Sequence, residues 1–272
     1  MRIINRHPSR GLYVLLAALP FIAAIVLYGI NSHVRLLENP ADKILPSLSQ
    51  MLRTLYEYAL VADKRTGEYL FWTDTGISLW RLGLGLGIAV TASLVLGVLA
   101  GFIPWVSALV QPFVSAFSLI PPITVLPILF IVVGLDELSK IALIFVGTAP
   151  VMLRAVALAV EEIPKELIVK AQTLGASTWQ MITRVVLPQV LPKLITAVRF
   201  ALIPAWIFLI SAEAIAATSG LGYRIFLVRR FLSMDVILPY VAWITLLAWL
   251  MDTSLAALQR KAFPWFQPEK PA

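Results

Sequence analysis

The feature that most constrains this chain is the length of its uncharged runs. Residues 82–135 contain no Asp, Glu, Lys or Arg over 54 positions, and residues 11–34 contain none over 24 positions. A helix that crosses about 30 Å of hydrocarbon needs about 20 predominantly apolar residues, so the longer run suffices for two such helices and the shorter run for one. The sequence therefore predicts an all-α membrane protein.

Composition supports this class and excludes several others. Hydrophobic residues make up 60% of the 272 positions and charged residues only 14%, whereas soluble domains are about a quarter charged. The chain has no cysteine and two histidines, His7 and His33, which excludes thiolate and histidine-rich metal sites, and we expect no cofactor bound by this chain. We also expect no catalytic residue, because only Glu213 and Arg199 lie well inside a span and two separated groups make a poor active site. We interpret the net charge of +7 as loop charges that face lipid headgroups and protein partners, not nucleic acid.

Prolines, glycines and charges divide the apolar sequence into about six transmembrane helices. The second and third share the run 82–135, with breaks at 101–104 and at Pro121-Pro122, and the others lie at 11–34, 140–159, 189–216 and 236–255. A signal peptide is the alternative for the first. An even number of spans places both termini on one side, and their basic residues (Arg2, Arg6, Arg10, Arg260, Lys261 and Lys270) favour the cytoplasm, although the loop charges give only a weak bias.

The spans suggest three parts along the chain. Residues 1–80 comprise the first span and an external segment, residues 81–265 form the core with a cytoplasmic loop at 161–188, and residues 266–272 form a C-terminal tail. In the external segment, Leu48, Leu52, Leu55 and Ala59 recur at helical spacing. This pattern predicts an amphipathic helix that lies on the membrane interface or caps the helix bundle.

The cytoplasmic loop has the sequence signals of two short helices. Lys165–Leu174 suits a helix, Gly175 can adopt the positive φ of a helix end, and Ser177 with Gln180 fits a capping box. The chain lacks a G-x-x-x-x-G-K-[ST] phosphate loop and has too few membrane ionisable residues for an obvious proton relay. If the chain moves a solute uphill, the energy must therefore arrive through contact with a partner, and the apolar side chains of Leu174, Trp179 and Met181 can form that contact.

The string KAQTLGASTWQMITRVVLP resembles the cytoplasmic EAA loop of ATP-binding-cassette importer permeases. Ala171, Gly175, Leu187 and Pro188 are in register, whereas Val169-Lys170 replaces the first Glu and Ala of the motif. Two further segments, SLIPPITVLPILFIVVGLDELSK (118–140) and SAEAIAATSGLGYRI (211–225), resemble permeases of the taurine, nitrate and sulfonate type. Within that group, the insert ADKRTGEYLFW and the run YRIFLVRRFLSMDVILPYVAWITLLAWLMD (223–252) look most similar to urea-carboxylase-related permeases.

This resemblance implies the type I importer permease fold, with a cytoplasmic coupling helix in the loop 161–188. It implies a permease homodimer in the bacterial inner membrane, two cytoplasmic ATPase subunits that hold ATP and Mg, and a periplasmic or lipid-anchored solute-binding protein. The cargo is then a small polar solute of the nitrate, sulfonate or taurine class, or a guanidine- or urea-like nitrogen compound. The implied ATPase contacts are Ala171, Leu174, Gly175, Ala176, Ser177, Trp179, Leu187 and Pro188. A stand-alone secondary carrier or channel is the alternative.

Glu213 is an acid deep in an apolar run, so it needs a partner or water. It either lines the translocation pathway or accepts hydrogen bonds from backbone amides at the Ser219-Gly220 turn. Arg199 is another possible partner, about 21 Å away along an ideal helix axis. Pro121 and Pro122 predict a bend that lines the pathway, because freed carbonyls at membrane depth need protein or water. Helical spacing also predicts four close-packing glycines: Gly83, Gly87, Gly97 and Gly101.

Overall fold

The computed structural model describes residues 9–40, 42–64 and 66–266, which form a succession of helices. These are α1 (Arg10–Glu38), α2 (Leu48–Leu60), α3 (Leu70–Phe102), α4 (Pro104–Phe117), α5 (Pro122–Val133), α6 (Glu137–Glu161), α7 (Lys165–Thr173), α8 (Thr178–Met181), α9 (Leu187–Ala216), α10 (Leu221–Arg229) and α11 (Met234–Ala262). A π-helical turn, Ile182–Val186, joins α8 to α9. Arg2, Arg6, Lys270 and all of the predicted tail except Phe266 lie outside the described residues.

Among the described residues, five stretches are long and apolar enough to cross a membrane: α1, α3, α6, the continuous Thr178–Ala216 and α11. The pair α4 and α5, bent by 98° at a short break, adds a sixth when it is counted as one span. This confirms the predicted helical fold of about six spans. Both predicted breaks in the long run are also present, since Ile103 separates α3 from α4 and Pro122 opens α5.

The predicted start of the second span is wrong by about one-third of the helix. Its first residue is Leu70, so Asp74 and Arg81 lie inside α3 and are both buried. The sequence predicts a boundary at Arg81 because charges usually end a span. Here the charges are paired within the protein, and such pairing allows a helix to carry them.

The chain divides into two compact units. The N-terminal unit comprises the residues up to Tyr69 together with Val228–Val241, and the core unit comprises Leu70–Leu227 together with the residues from Ala242 onward. Helix α11 therefore contributes its first turns to the N-terminal unit and the remainder to the core unit.

In the N-terminal unit, the connection after α1 is held by polar contacts. The Tyr28 hydroxyl donates to the Pro46 carbonyl at 2.7 Å, and the Ser32 hydroxyl donates to the Leu45 carbonyl at 2.9 Å. Helix α2 contacts the start of α11 through Thr54, whose hydroxyl donates to Asp235 at 2.9 Å, and through an edge-on contact of Tyr58 with Tyr240.

The predicted amphipathic helix is thus present as α2, and its apolar side is largely open. Leu48 and Leu52 are 59% and 67% exposed, and no residue of α2 is fully buried. Helix α1 is similarly uncovered, because none of its most apolar 18-residue window is buried within this chain. These faces must be covered by lipid or by other chains.

The core unit is built on α3, α6 and α9. Helix α3 approaches α6 through glycines: a Cβ at Gly85 would lie 2.7 Å from Ile144, one at Gly97 2.7 Å from Val156, and one at Gly101 2.6 Å from the Ala157 carbonyl. Gly97 and Gly101 are therefore close-packing positions, as predicted. Within this chain the prediction fails for Gly83 and Gly87, since a Cβ at either would meet no atom of the chain within 4 Å.

Candidate functional site

The cytoplasmic-loop prediction corresponds to α7, a tight turn and α8. Gly175 ends α7 with φ +78°, a conformation that glycine adopts without steric cost. Its N–H donates to the Gln172 carbonyl at 2.9 Å, and the Ala176 N–H donates to the Ala171 carbonyl at 3.0 Å. These two bonds define a Schellman C-cap, which explains why Gly175 follows Ala171 at this spacing.

Helix α8 begins with the predicted capping box. The Gln180 N–H donates to Ser177 Oγ at 3.3 Å, and the Ser177 N–H donates to Gln180 Oε1 at 2.8 Å. A helix of four residues has little stability of its own, so these bonds and its continuation into the next turn fix its direction.

The loop combines an exposed apolar tip with a buried base. Leu174 is 78% exposed and Trp179 is 72% exposed, whereas Met181 and Ile182 are buried. Ile182 belongs to a core cluster that also contains Val156 of α6 and Val190 of α9. A force applied at Trp179 can therefore pass directly into two spans. Of the other predicted contact residues, Ser177 is exposed, and Ala171, Ala176, Leu187 and Pro188 are half-buried.

The base of the loop is the π turn. The Leu187 N–H donates to the Ile182 carbonyl, five residues back. The next residue, Pro188, has no N–H and its ring crowds the carbonyl of an ordinary α-helical turn, which favours the wider turn. The Gln189 side chain donates to the Val185 carbonyl at 3.0 Å, which adds a side-chain bond across the end of the turn.

A second site of interest is a buried ion network around Glu213. The Glu213 carboxylate is fully buried and accepts from Ser78 Oγ at 2.8 Å and 3.0 Å, from Arg81 Nη1 at 2.7 Å and from the Gly222 N–H at 2.8 Å. Arg81 also forms a two-bond pair with Glu137 of α6, at 2.5 Å and 2.7 Å. Three spans are thus linked at one point.

The same network holds the start of α10. The N–H groups of Gly220, Leu221 and Gly222 donate to Asp74, Ser78 and Glu213, at 2.9 Å, 2.8 Å and 2.8 Å respectively. These are the amides that a helix start leaves unpaired, and two of their three acceptors are carboxylates, which the positive end of the helix dipole favours.

The network balances its charges. Asp74 pairs with Arg224 at 2.7 Å, Glu213 and Glu137 pair with Arg81, and Glu137 also pairs with Lys140 at 3.2 Å. Asp74, Glu137 and Glu213 are thus matched by Arg81, Lys140 and Arg224. Pairing is the condition for burying Asp74, Arg81 and Glu213 at acceptable cost, whereas the Glu137 side chain is 58% exposed. The network is also closely packed, because a Cβ at Gly220 would lie 2.5 Å from Glu213 Oε1.

These contacts favour the structural interpretation of Glu213 over the predicted pathway role. The carboxylate does not reach the surface of the chain, and its backbone donor is Gly222, two residues beyond the expected turn. Arg199 does not pair with Glu213 either. It forms a two-bond pair with Asp252 of α11, at 2.7 Å and 2.9 Å.

Sequence reasoning missed Asp74, Arg81 and Arg224. Asp74, Ser78 and Arg81 recur at intervals of four and three residues, so they form a polar stripe on one face of a helix. A second span that starts after Arg81 leaves these residues outside the helix and hides the stripe. Arg224 is indistinguishable from a loop charge in the sequence, and its partner Asp74 is 150 residues away.

Pro121 and Pro122 lie at the bend between α4 and α5. Pro121 is exposed and takes the position before the first residue of α5, where a missing N–H costs nothing. The bend itself is thus present, and its place on a solute pathway stays a prediction. Among the described residues, no group of three or more His, Asp or Glu side chains could hold a metal ion.

Over the described residues, an all-helical, multi-span core with an exposed helix–turn–helix between two spans defines a multi-pass membrane protein. Residues 93–266 match the family described as binding-protein-dependent transport system inner membrane component. The chain belongs to this family. It is therefore an inner-membrane permease subunit of an ATP-driven importer, in which a separate subunit hydrolyses ATP. Family membership decides against the stand-alone carrier.

Individual relatives agree with this placement. The chain is 38% identical over 222 residues to the taurine transport system permease protein TauC of Escherichia coli, covering 81% of this chain and 80% of that protein. It is 32% identical to the putative aliphatic sulfonates transport permease protein SsuC of Escherichia coli, covering 83% of each.

A solved structure shows the same fold. The crystal structure of a bacterial alginate ABC transporter in complex with an alginate pentasaccharide-bound periplasmic protein contains a chain that matches with a TM-score of 0.62. The match covers 94% of this chain and 99% of that chain at 16% identity.

Proposed function

We propose that two copies of this chain and two ATPase subunits import a small polar solute that a solute-binding protein delivers. The observation that carries this proposal is the loop α7–α8, whose tip is exposed and apolar at Leu174 and Trp179 while its base joins the core. An exposed tryptophan on a rigid turn is unfavourable in water, and it is a common anchor residue in protein interfaces.

The loop also supports separate roles for the ATPase subunit and for this chain. The partner binds ATP and Mg and moves when the nucleotide is hydrolysed, and α8 receives that motion. The departure Val169-Lys170 removes the acidic residue of the family motif at an exposed position of α7. We therefore expect the docking to depend mainly on apolar contacts and less on an ion pair at that position.

Orientation follows if the loop faces the ATPase. A cytoplasmic loop between α6 and α9, with six crossings of the membrane, places both termini in the cytoplasm. The segments 39–69 and 217–233 then lie on the periplasmic side. The basic ends of the chain agree with this orientation.

A second copy is supported by an uncovered stripe on α9. Phe200, Ile203, Ile207 and Ile215 are 75%, 70%, 53% and 68% exposed and recur at intervals that keep them on one face. We propose that this face and the bend at Pro121 and Pro122 contribute to the pathway between two permease copies. Apolar walls suit a pathway that must release its solute rather than bind it.

For the solute, the relatives named for taurine and aliphatic sulfonates favour a small sulfonate or related anion. The test is isothermal titration of the solute-binding protein that is co-purified with the complex. Taurine, other sulfonates and nitrate represent the favoured class, and guanidine and urea the competing one. Micromolar binding confined to guanidine or urea would reverse the preference.

The importer architecture is tested by purifying a tagged chain from cells that express the whole transporter. We expect an ATPase subunit in equal amount and two tagged copies per complex. Trp179→Ala should abolish the stimulation of ATP hydrolysis by loaded binding protein in liposomes, while Trp249→Ala, which removes a 60% exposed tryptophan from α11, should preserve it. Transport by the chain alone, or unchanged stimulation in Trp179→Ala, contradicts the proposal.

A further inference from the structure

The N-terminal unit contains an open cleft of about 530 Å³ at the level where two spans end. Helix α1 ends at Glu38 and α11 begins at Met234, and the cleft lies between the connection that follows α1, helix α2 and the start of α11. The uncharged run of α1 stops at Arg35, and a charge at the end of an apolar run marks the boundary of the hydrocarbon. The cleft therefore lies at the depth of the lipid headgroups.

Helix α2 joins this cleft to an open apolar surface. Leu48 and Leu52 are exposed on one side of the helix. Arg53, Thr54 and Glu57 of the same helix line the cleft. A helix with one apolar and one charged side lies at a bilayer surface with its apolar side among the acyl chains. Helix α2 thus separates a region suited to acyl chains from a region suited to a polar headgroup.

The surface formed by residues 42–57 and 229–235 is basic overall. Its charged side chains are four basic and three acidic ones: Lys43, Arg53, Arg229, Arg230, Asp42, Glu57 and Asp235. Two of the acids are paired within the unit. Asp42 pairs with Arg35 at 2.5 Å, and a second pair joins Glu57 to its neighbour on α2 at 3.1 Å. The net charge of +1 and these pairs leave the surface able to attract a phosphate.

Lys43 and Asp235 place open charges of opposite sign in the cleft. Lys43 is exposed and makes no ion pair within the part of the chain that the structure describes. Asp235 is half-buried and accepts from the Thr54 hydroxyl at 2.9 Å, which leaves lone pairs of its carboxylate for a further donor. The Met234 N–H donates to the Lys43 carbonyl at 3.3 Å, so the backbone segments that carry both charges are held next to each other.

We propose that this surface, which we call the headgroup cleft, binds a phospholipid whose headgroup carries a phosphate and a primary ammonium group, as in phosphatidylethanolamine. Lys43 donates to the phosphate and Asp235 accepts from the ammonium group. The acyl chains lie along the open side of α2 at Leu48 and Leu52. The inference does not depend on the proposed function, and the proposed orientation decides only which leaflet supplies the lipid.

The charges of the cleft distinguish this headgroup from two others. The basic side chains attract the phosphate of any phospholipid, and Arg229 and Arg230 in the turn before α11 add to that attraction. Phosphatidylglycerol has no cation to meet Asp235. Phosphatidylcholine has a cation, but its nitrogen carries only methyl groups and donates no hydrogen bond. Ethanolamine alone among the three supplies both an acceptor for Lys43 and a donor for Asp235.

The first experiment titrates the detergent-purified complete transporter with lipids of identical acyl chains and counts bound lipids by native mass spectrometry. We expect the tightest site to bind phosphatidylethanolamine about fivefold more tightly than phosphatidylcholine or phosphatidylglycerol, the scale of one added charge contact at a bilayer surface. Equal dissociation constants for the three lipids overturn the proposal without involving any variant.

Variants of the two charges test the assignment of the contacts. Lys43→Gln should weaken the binding of phosphatidylethanolamine about fivefold. Asp235→Asn keeps an oxygen for Thr54, and it should remove the preference over phosphatidylcholine while the binding of phosphatidylcholine is unchanged. The control is Lys64→Gln, which removes an exposed lysine of the same unit outside the cleft lining. An equal loss in Lys43→Gln and the control, or an unchanged preference in Asp235→Asn, overturns the assignment.

The last experiment identifies what covers the open side of α2. A photoreactive phenylalanine replaces Leu52, which is 67% exposed, in cells that express the whole transporter. We expect a phospholipid adduct of this chain, identified by its mass. The control position is Leu174 in the α7–α8 loop, where we expect no lipid adduct. A crosslink from Leu52 to another subunit or to a second copy of the chain, or lipid adducts in equal amount at both positions, overturns the lipid site and leaves the proposed function intact.

Discussion

Replacing Glu213 with glutamine distinguishes a structural role from a pathway role, because the substitution preserves shape and changes only hydrogen bonding. Glu213 Oε1 accepts from Arg81, Oε2 accepts from the Gly222 N–H, and Ser78 donates to both oxygens. Glutamine offers one carbonyl oxygen and one NH₂ group. Whichever way the amide points, a donor must face either Arg81 or Gly222.

The cost follows from these contacts. An unsatisfied buried donor costs about 1–3 kcal/mol, and removing one member of a buried ion pair costs about 3–5 kcal/mol. Arg81 retains Glu137, so we expect a loss of about 3 kcal/mol, toward the lower end of the ion-pair range. At about 2–4 °C per kcal/mol, the melting temperature should fall by about 6–12 °C.

The measurement is thermal melting of the detergent-extracted complex by fluorescence-detected size-exclusion chromatography, alongside transport per complex in liposomes. Glu162→Gln is the matched control. Its partner is Lys193 at 2.5 Å, both side chains are partly exposed, and such surface pairs contribute at most about 1 kcal/mol. If Glu213→Gln melts like the control but transports abnormally, the pathway role is correct and the structural reasoning is refuted.

Three further predictions concern other parts of the chain. Gly175 has φ +78° and open space around it, so Gly175→Val should strain only the turn, by about 1–3 kcal/mol. Membrane insertion should persist while the stimulation of ATP hydrolysis fails, and normal stimulation would contradict this. Gly97→Val should lower the yield of folded complex, since its Cβ would lie 2.7 Å from Val156, whereas Gly87→Val should not, since a Cβ there meets no atom of the chain within 4 Å. Equal yields of the two variants would contradict the packing argument. The hydrogen bond from Arg35 lowers the pKa of the Asp42 carboxyl in the folded chain. The stability that this pair adds to the fold is therefore fully present above the ordinary pKa of Asp, and it is lost as the pH falls through the lowered pKa. In Asp42→Asn, the melting temperature should fall less steeply as the pH is lowered than in the unmodified chain. An unchanged fall would exclude the Arg35–Asp42 pair as a cause of the loss of stability in acid.

The fold could be predicted because membrane helices depend on local composition. Charge-free length located the spans, and glycine and capping chemistry located the turn at Gly175 and the start of α8. Each of these signals lies within about 20 residues of sequence. The open side of α2 and the failed prediction at Gly83 show the limit, because spacing identifies a face without saying what covers it.

The buried ion network could not be predicted in the same way. Asp74 meets Arg224 and Arg81 meets Glu213 only after α3, α9 and α10 have come together. From sequence alone, each charge appeared either as the end of a span or as an isolated acid. Their pairing is a property of tertiary structure, and the spacing of Asp74, Ser78 and Arg81 on one face was its only local trace.

The π turn gives the long helix Thr178–Ala216 an uneven mechanical stiffness. Two prolines, Pro188 and Pro192, remove backbone donors just above a turn that is already widened, so fewer hydrogen bonds resist bending there than in the proline-free stretch 193–203. Torque applied at Trp179 should therefore bend the helix mainly at this turn, while the proline-free stretch 193–203 moves as a stiff segment. Amide hydrogen exchange should accordingly be faster at 183–187 than at 194–198, and equal rates would show that the whole helix is uniformly rigid.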